Sequence, residues 1–250
     1  MKVLLITVAG MSTRFSESIG NTCLKCIYHE KDRKESLLYQ LLSCYSGFDK
    51  FVIVGGFRYK ELCIEIQAHY NEFADRIVLV ENKEYASYGS GYSLYIGLKR
   101  VMEFKPDQIV FAEGDLYFDR ETFDRIAESK KPVLTMTTET INAKKSVVFY
   151  FDIKYQIHYL YDLSHNALEI REPFAEIGNS GQVWKFINDG KFQESFTSMS
   201  ECDWQGTNLV FVQKYFSQFV PDEYEILKFK KWINCNTISD FRRMQEENGR

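Results

Sequence analysis

Met1-Lys2-Val3-Leu4-Leu5-Ile6-Thr7-Val8-Ala9-Gly10-Met11-Ser12-Thr13-Arg14 opens the chain with an apolar strand that runs straight into a loop of small residues closed by a cation. Small side chains let backbone N–H groups close around a phosphate chain, and Arg14 neutralises the negative charge gathered there. A strand ending in Gly and Ser is also an ordinary strand-to-loop exit. The phosphate reading gains weight from Lys25, in Thr22-Cys23-Leu24-Lys25-Cys26-Ile27, which precedes a second apolar segment and lets two cations face one ligand.

Outward from this loop, composition bounds the answer. A chain of 250 residues suffices for one α/β domain that buries roughly 70–75% of its unfolded surface without disulfide or metal staples. Net charge is −4, with 31 basic and 35 acidic residues well mixed. That balance gives no electrostatic footprint for nucleic acid or an anionic membrane, so an anionic ligand must be met by a local cluster. The six cysteines are scattered, and an opening on an apolar strand, with no long apolar span, reads as a chain expected to carry no leader. Reduced thiols and a cytoplasmic location are expected. Cys23-Leu24-Lys25-Cys26 is formally C-x-x-C, yet no second pair stands at metal-ligand spacing, so neither zinc nor redox chemistry is read from it.

Apolar runs alternate with helical patterns as a mostly parallel sheet requires. Strands are expected at 2–8, 50–55, 76–80, 108–112 and 133–137, separated by helices at 36–45, 59–70, 93–104 and 120–129. Ser36 and Asp119 are the N-caps. The second half reads as short strands at 146–151, 156–161 and 167–172, then helices at 184–199 and 206–219, an edge-like strand within 224–235 and a polar helix at 238–247.

Ile109-Val110-Phe111-Ala112-Glu113-Gly114-Asp115 places carboxylates at the C-terminal end of a buried parallel strand. Open α/β sheets bind ligands at that rim, and hard oxygen ligands there suit Mg²⁺ holding a triphosphate, with Asp115 as the ligand. Capping of the following turn is the competing role for either carboxylate. Downstream, Trp232-Ile233-Asn234-Cys235-Asn236-Thr237 runs from a strand into a final helix and offers Asn236 as a second metal ligand, with Asp240 and Asn234 as alternatives.

With Ala9-Gly10-Met11-Ser12-Thr13-Arg14 and Lys25 in place, the chain resembles nucleotidyltransferases of the GT-A-like fold. Their signature is A-G-x-G-[TS]-R followed by a P-K pair; here Ser12 stands for Gly and Leu24 for Pro. Asn82, Tyr85 and Tyr92-Ser93-Leu94 look like the N-x-x-Y and Y-S-L pattern of choline-phosphate cytidylyltransferases, and Glu113–Phe118 and Asn236–Arg242 resemble the same branch. The resemblance implies a Rossmann-like α/β fold with a mostly parallel central sheet and a β-rich insertion for acceptor specificity. It implies one domain over 1–250: a nucleotide-binding half at 1–140, an acceptor-specificity half at 141–225, and a metal-binding turn with terminal helix at 226–250.

The implied reaction is transfer of CMP from CTP to a small phosphorylated, amine-bearing acceptor, with pyrophosphate released. Such a reaction would feed decoration of a cell-surface polymer or lipid. Arg14 and Lys25 would be catalytic; Ala9, Gly10, Met11, Ser12, Gly56, Ser90 and Ser93 would bind nucleotide; Asp115 and Asn236 would hold Mg²⁺. Tyr117, Glu176, Trp184 and Trp204 are the acceptor candidates, because carboxylates with indoles suit a cationic group; burial in a core is the competing fate of such rings. No nucleic-acid or membrane partner is expected, and a homodimer is left open. A sugar-phosphate nucleotidyltransferase, a GT-A glycosyltransferase and an inactive nucleotide-binding relative are the rival readings.

Overall fold

The computed structural model describes residues 1–160 and 167–249. Its strands are β1 (Lys2–Val8), β2 (Lys50–Gly55), β3 (Ile77–Glu81), β4 (Gln108–Glu113), β5 (Leu116–Phe118) and β6 (Val133–Met136). The second half adds β7 (Val148–Asp152), β8 (Ile157–Tyr159), β9 (Phe174–Asn179), β10 (Val183–Ile187), β11 (Glu225–Lys228) and β12 (Trp232–Asn234). Seven of these form one sheet in the order β11-β6-β10-β4-β1-β2-β3. The pairs β4/β1, β1/β2, β2/β3 and β11/β6 are parallel, and only β10 runs against its neighbours.

Helices cover both faces, which is why the β1 residues Val3, Leu4, Leu5 and Ile6 are completely buried. Leu4 and Ile6 pack in one layer with Leu38, Leu41 and Phe123; Val3 and Leu5 pack in the other with Leu94, Leu98 and Phe111. An uninterrupted apolar run is what a strand with two covered faces needs. All five parallel-sheet strands expected in the first half are present. Ser36 accepts from the Tyr39 N–H and Asp119 from the Thr122 N–H, so both N-caps form.

The second half departs from the sequence reading in three places. Residues 184–199, expected to be one helix, split into β10 and a helix over Gly190–Thr197. Val183-Trp184-Lys185-Phe186 is buried on both sides, a strand context, and Asn188-Asp189 turns the chain before Asp189 caps the helix at Phe192 N–H. The strand expected at 167–172 lies instead at β9, which joins β7 and β8 in a separate three-stranded antiparallel sheet. The edge strand expected within 224–235 is two strands, β11 on the large sheet and β12 paired antiparallel with β5. The part of the expected strand 156–161 that falls at Tyr161 lies outside the described residues.

Lys185 on β10 is fully buried. Its ammonium donates to the carbonyls of Ala127 (2.9 Å) and Ser129 at the C-terminal end of the helix Arg120–Glu128. Burial pulls its pKa down to about 8. Replacing it by Met would leave those carbonyls without their donor inside the protein. Lys185→Met is expected to cost roughly 1–3 kcal/mol, read as a lowered urea midpoint with an unchanged slope.

Candidate nucleotide and metal site

Everything at the C-terminal ends of β1 and β4 opens into one cleft of about 560 Å³, within the size range of small-molecule sites. One wall is the loop after β1. Ser12 takes a left-handed backbone (φ 53°, ψ 29°) although it carries a side chain, a conformation that costs a non-glycine residue about 1–2 kcal/mol. Serine therefore adopts the geometry that the usual glycine supplies freely. Its hydroxyl in turn accepts from the Lys25 N–H at 3.4 Å. The N–H groups of Gly10, Met11 and Ser12 donate to no other described residue, which leaves them for an anion.

The opposite wall is set by a strand pairing between distant parts of the chain. The register β5/β12 places Asn234 opposite Leu116, and the Cys235 N–H donates to the Asp115 carbonyl at 2.8 Å. Asp115 and Asn236 are thereby brought side by side. The Lys25 ammonium donates to Asp115 Oδ2 at 2.7 Å and to Asn236 Oδ1 at 3.4 Å, and the Arg14 guanidinium donates to Asn236 Oδ1 at 2.9 Å. Four residues from separate segments thus meet at one point.

The three alternatives for the downstream position occupy different places. Asp240 sits in the first turn of the helix Ile238–Asn248, where Oδ2 accepts from the Asn236 and Thr237 N–H groups and the Thr237 hydroxyl. Asn234 donates to Gln182 Oε1 and accepts the Asn236 amide N–H at 2.7 Å. Asn234 therefore turns Asn236, whose carbonyl oxygen is the one facing Lys25 and Arg14.

Asp115 Oδ1 is buried and has no hydrogen-bond partner among the described residues. An unpartnered carboxylate oxygen beside an amide carbonyl is a hard donor pair, and Mg²⁺ commonly takes one or two carboxylates with the rest of its shell from waters and substrate phosphates. The donor set fits Mg²⁺ in that manner. Among the described residues no group of three or more His, Cys, Asp or Glu side chains could cage a metal.

Between the two walls, Tyr85, Tyr88, Ser90 and Ser93 line the cleft near the start of the helix Ser90–Met102. Asn82 is buried and donates to the Ser93 hydroxyl at 2.9 Å while its Oδ1 accepts from the Glu84 N–H. The helix start is braced from outside: Gly89 and Gly91 N–H groups donate to the carbonyls of Gln205 and Gly206.

Of the residues picked from sequence, Ala9, Gly10, Met11, Ser12, Arg14, Lys25, Ser90, Ser93, Asp115 and Asn236 line the cleft. Gly56 does not. It lies behind the cleft, where a Cβ would come within 2.5 Å of Tyr85 Cβ and 2.9 Å of the Ala9 carbonyl, so its bareness serves packing. All four acceptor candidates are also elsewhere. Trp184 is fully buried on β10, stacked on Phe111 with its indole N–H on the Tyr159 hydroxyl. Trp204 stacks on Tyr95 with ring centres 4.3 Å apart, Glu176 is exposed on β9, and Tyr117 points its hydroxyl at Asn248. Large rings at these positions fill cores and helix contacts rather than a ligand cage.

Asn208 is a polar cleft residue that the sequence did not single out. Buried next to the helix Leu209–Phe216, its backbone N–H donates to the Ser90 hydroxyl at 3.1 Å and its Nδ2 to Glu113 Oε1 at 2.7 Å. No spacing links position 208 to 113; only the folded chain does. Glu113 itself faces the cleft, and burial together with the negative Asp115 pushes its carboxyl up to about 7.

The chain belongs to the DUF6564 family. The family model, described as a domain of unknown function, matches residues 21–248, beginning after the Gly10–Arg14 loop. No curated protein matches the sequence. Solved structures share the fold of this DUF6564 chain at low identity. The inositol-1-phosphate CTP transferase of T. maritima superimposes with a TM-score of 0.68 at 14% identity, covering 98% of this chain and 96% of that one. A putative glucose-1-phosphate thymidylyltransferase from Bacillus anthracis gives 0.70 at 12% identity, covering 99% and 95%. The CTP:phosphocholine cytidylyltransferase of Streptococcus pneumoniae gives 0.62 at 13% identity, covering 99% of each. The DUF6564 chain thus has the Rossmann-like nucleotidyltransferase fold. No helix among its described residues is long and apolar enough to cross a membrane.

The raised Glu113 pKa predicts a direction for stability. A carboxyl held above its ordinary range contributes stability that is complete at acid pH, below the unfolded value, and lost as pH rises through about 7. Glu113→Gln removes this dependence. Urea unfolding at pH 5 and pH 8 should show wild type losing on the order of 1–3 kcal/mol relative to the Gln variant across that interval; a gap that stays constant with pH contradicts the assignment.

Proposed function

We propose that this chain is a nucleotidyltransferase that moves CMP from CTP onto a small phosphorylated acceptor and releases pyrophosphate. The observation that carries the reading is the meeting of Arg14, Lys25, Asp115 and Asn236 at a cleft whose other wall presents undonated backbone N–H groups. A glycosyltransferase using Glu113-Gly114-Asp115 with a sugar nucleotide has no need of that two-cation clamp. CTP is favoured as the donor because Tyr85 and Ser93, from the string shared with cytidylyltransferases, border the same cleft. Two of the similar structures carry CTP-dependent names, which supports the same choice. The reaction is assigned to the cytoplasm, in the supply of cell-surface decoration.

In this reading an acceptor phosphate oxygen attacks the α-phosphorus, the bond to the β-phosphate oxygen breaks, and pyrophosphate departs with the bonding pair. No protein base is needed, because the attacking oxygen is already ionised; catalysis is positioning and charge stabilisation. Arg14 and the loop N–H groups hold the β- and γ-phosphates. Lys25 stabilises the α-phosphate as its charge redistributes, which requires its ammonium to shift from Asp115 towards the substrate. Asp115 and Asn236 would hold Mg²⁺, which when bound neutralises phosphate charge. The indoles that suggested an amine-bearing acceptor lie outside the cleft, so the acceptor is defined at this stage only by its phosphate.

A pyrophosphate-release assay crossing CTP, UTP, GTP and ATP with phosphorylated acceptors should show turnover with CTP favoured. Arg14→Ala and Lys25→Ala should each lower kcat by about 10²–10³, the scale of losing one transition-state donor. Unchanged turnover in both variants would sink the proposal. A second check uses Gly10, where a Cβ meets nothing within 4 Å. Gly10→Val should leave the melting temperature in place and raise the KM for CTP by about tenfold or more, since the added methyls enter the space a phosphate takes.

A further inference from the structure

Arg14 and Asn236 also border a second cavity, of about 220 Å³, adjoining the larger cleft. Its remaining walls are the segment after β6 (Glu139, Thr140, Asn142, Lys145), the end of β9 at Asn179, strand β12 and the start of the last helix. We infer that this cavity is the acceptor subsite and that it takes a hydroxylated phosphate monoester, of the sugar-phosphate or polyol-phosphate type, in preference to a phosphorylated amine. The inference rests on the nucleotidyltransferase reading for the reaction, and on the cavity alone for the ligand.

Position comes first. The two cavities share the Arg14 and Asn236 wall, beside Lys25 and Asp115. Arg14 serves the departing pyrophosphate, so the acceptor approaches from the Asn236 side: Asn236 Oδ1 lies 3.4 Å from the Lys25 ammonium assigned to the α-phosphate, and a phosphate held by Lys145 in the smaller cavity would present its attacking oxygen there.

Chemistry comes second. Asn179 is only 5% exposed and lines the cavity; its Nδ2 donates to the Glu139 carbonyl, while its Oδ1 is buried with no partner among the described residues. A buried acceptor oxygen without a donor is costly, and a ligand hydroxyl satisfies it. The lining also holds Lys145, which has no salt-bridge partner among the described residues, beside Arg14 and an Arg243 already paired with Glu139. Its two carboxylates are already committed: Glu139 accepts from Arg243 at 2.8 Å, and Asp240 accepts three donors from Asn236 and Thr237. Trp232 is the one aromatic ring among the described lining residues, and its indole N–H is held by the Gly181 carbonyl at 2.8 Å. A quaternary ammonium is bound by several ring faces or by free carboxylates, and this cavity offers neither. It offers positive charge for a phosphate and amide and hydroxyl groups for alcohols.

The test separates ligand from reaction. Calorimetric titration with glucose 1-phosphate, glycerol 3-phosphate and sorbitol 6-phosphate, against phosphocholine and phosphoethanolamine, reads the cavity without turnover; CTP titration in Mg²⁺ reads the cleft. At least one hydroxylated ester should bind about tenfold or more tightly than either amine. Lys145→Ala, at an exposed position, and Thr140→Val should weaken that ester about tenfold and leave CTP affinity unchanged. In the pyrophosphate-release assay the same variants should raise the acceptor KM and spare kcat. Preference for phosphocholine, failure of every hydroxylated ester to bind, or a loss of CTP affinity in the variants overturns the inference. Ester binding without turnover under any nucleotide would instead overturn the nucleotidyltransferase reading and leave the cavity assignment standing.

Discussion

One short antiparallel ladder, β5 against β12, holds the candidate site together. It joins residues more than a hundred positions apart, and the 2.8 Å bond from the Cys235 N–H to the Asp115 carbonyl extends it by one step. Asp115 would otherwise end a strand with nothing facing it, and Asn236 would be a turn residue at the surface. Once paired, the two side chains converge and the ammonium of Lys25 lies between them. The site is therefore a tertiary product of the terminal segment returning to the centre of the sheet.

Lys25 carries particular weight in this arrangement. Its ammonium takes one oxygen of Asp115 while the other is left without a partner. A half-buried ion pair of this kind is a holding pattern. In the proposed reaction a triphosphate with its accompanying cation would offer both partners something stronger. The Asn234 amide keeps Asn236 turned to the right side throughout.

The sequence made the first half of the fold legible because its strands are continuous apolar runs bounded by recognisable caps such as Ser36 and Asp119. The second half was harder for a definite reason. Val183-Trp184-Lys185-Phe186-Ile187 contains no alternation, since both faces of β10 are covered, and a lysine within it points away from strand. Only the fold shows that Lys185 ends under a helix terminus. The loop after β1, Lys25 and Asp115, which line one cleft, could be grouped from motif order alone. The tryptophans could not be placed, because an indole beside a carboxylate reads the same whether it lines a cage or fills a core. Asn208 and Asn179 gave no local signal whatever; their chemistry arises from which buried oxygen or carboxyl they happen to meet.

The two cavities have just Arg14 and Asn236 in common. The segment around Glu139–Lys145 lines the smaller one and does not line the larger cleft. If the smaller cavity takes the acceptor as proposed, changes there would redirect which compound is taken without disturbing the chemical step. Divergence among proteins built this way is free to run along a surface loop while the reaction itself stays constant, so relatives sharing every cleft residue could still make different products.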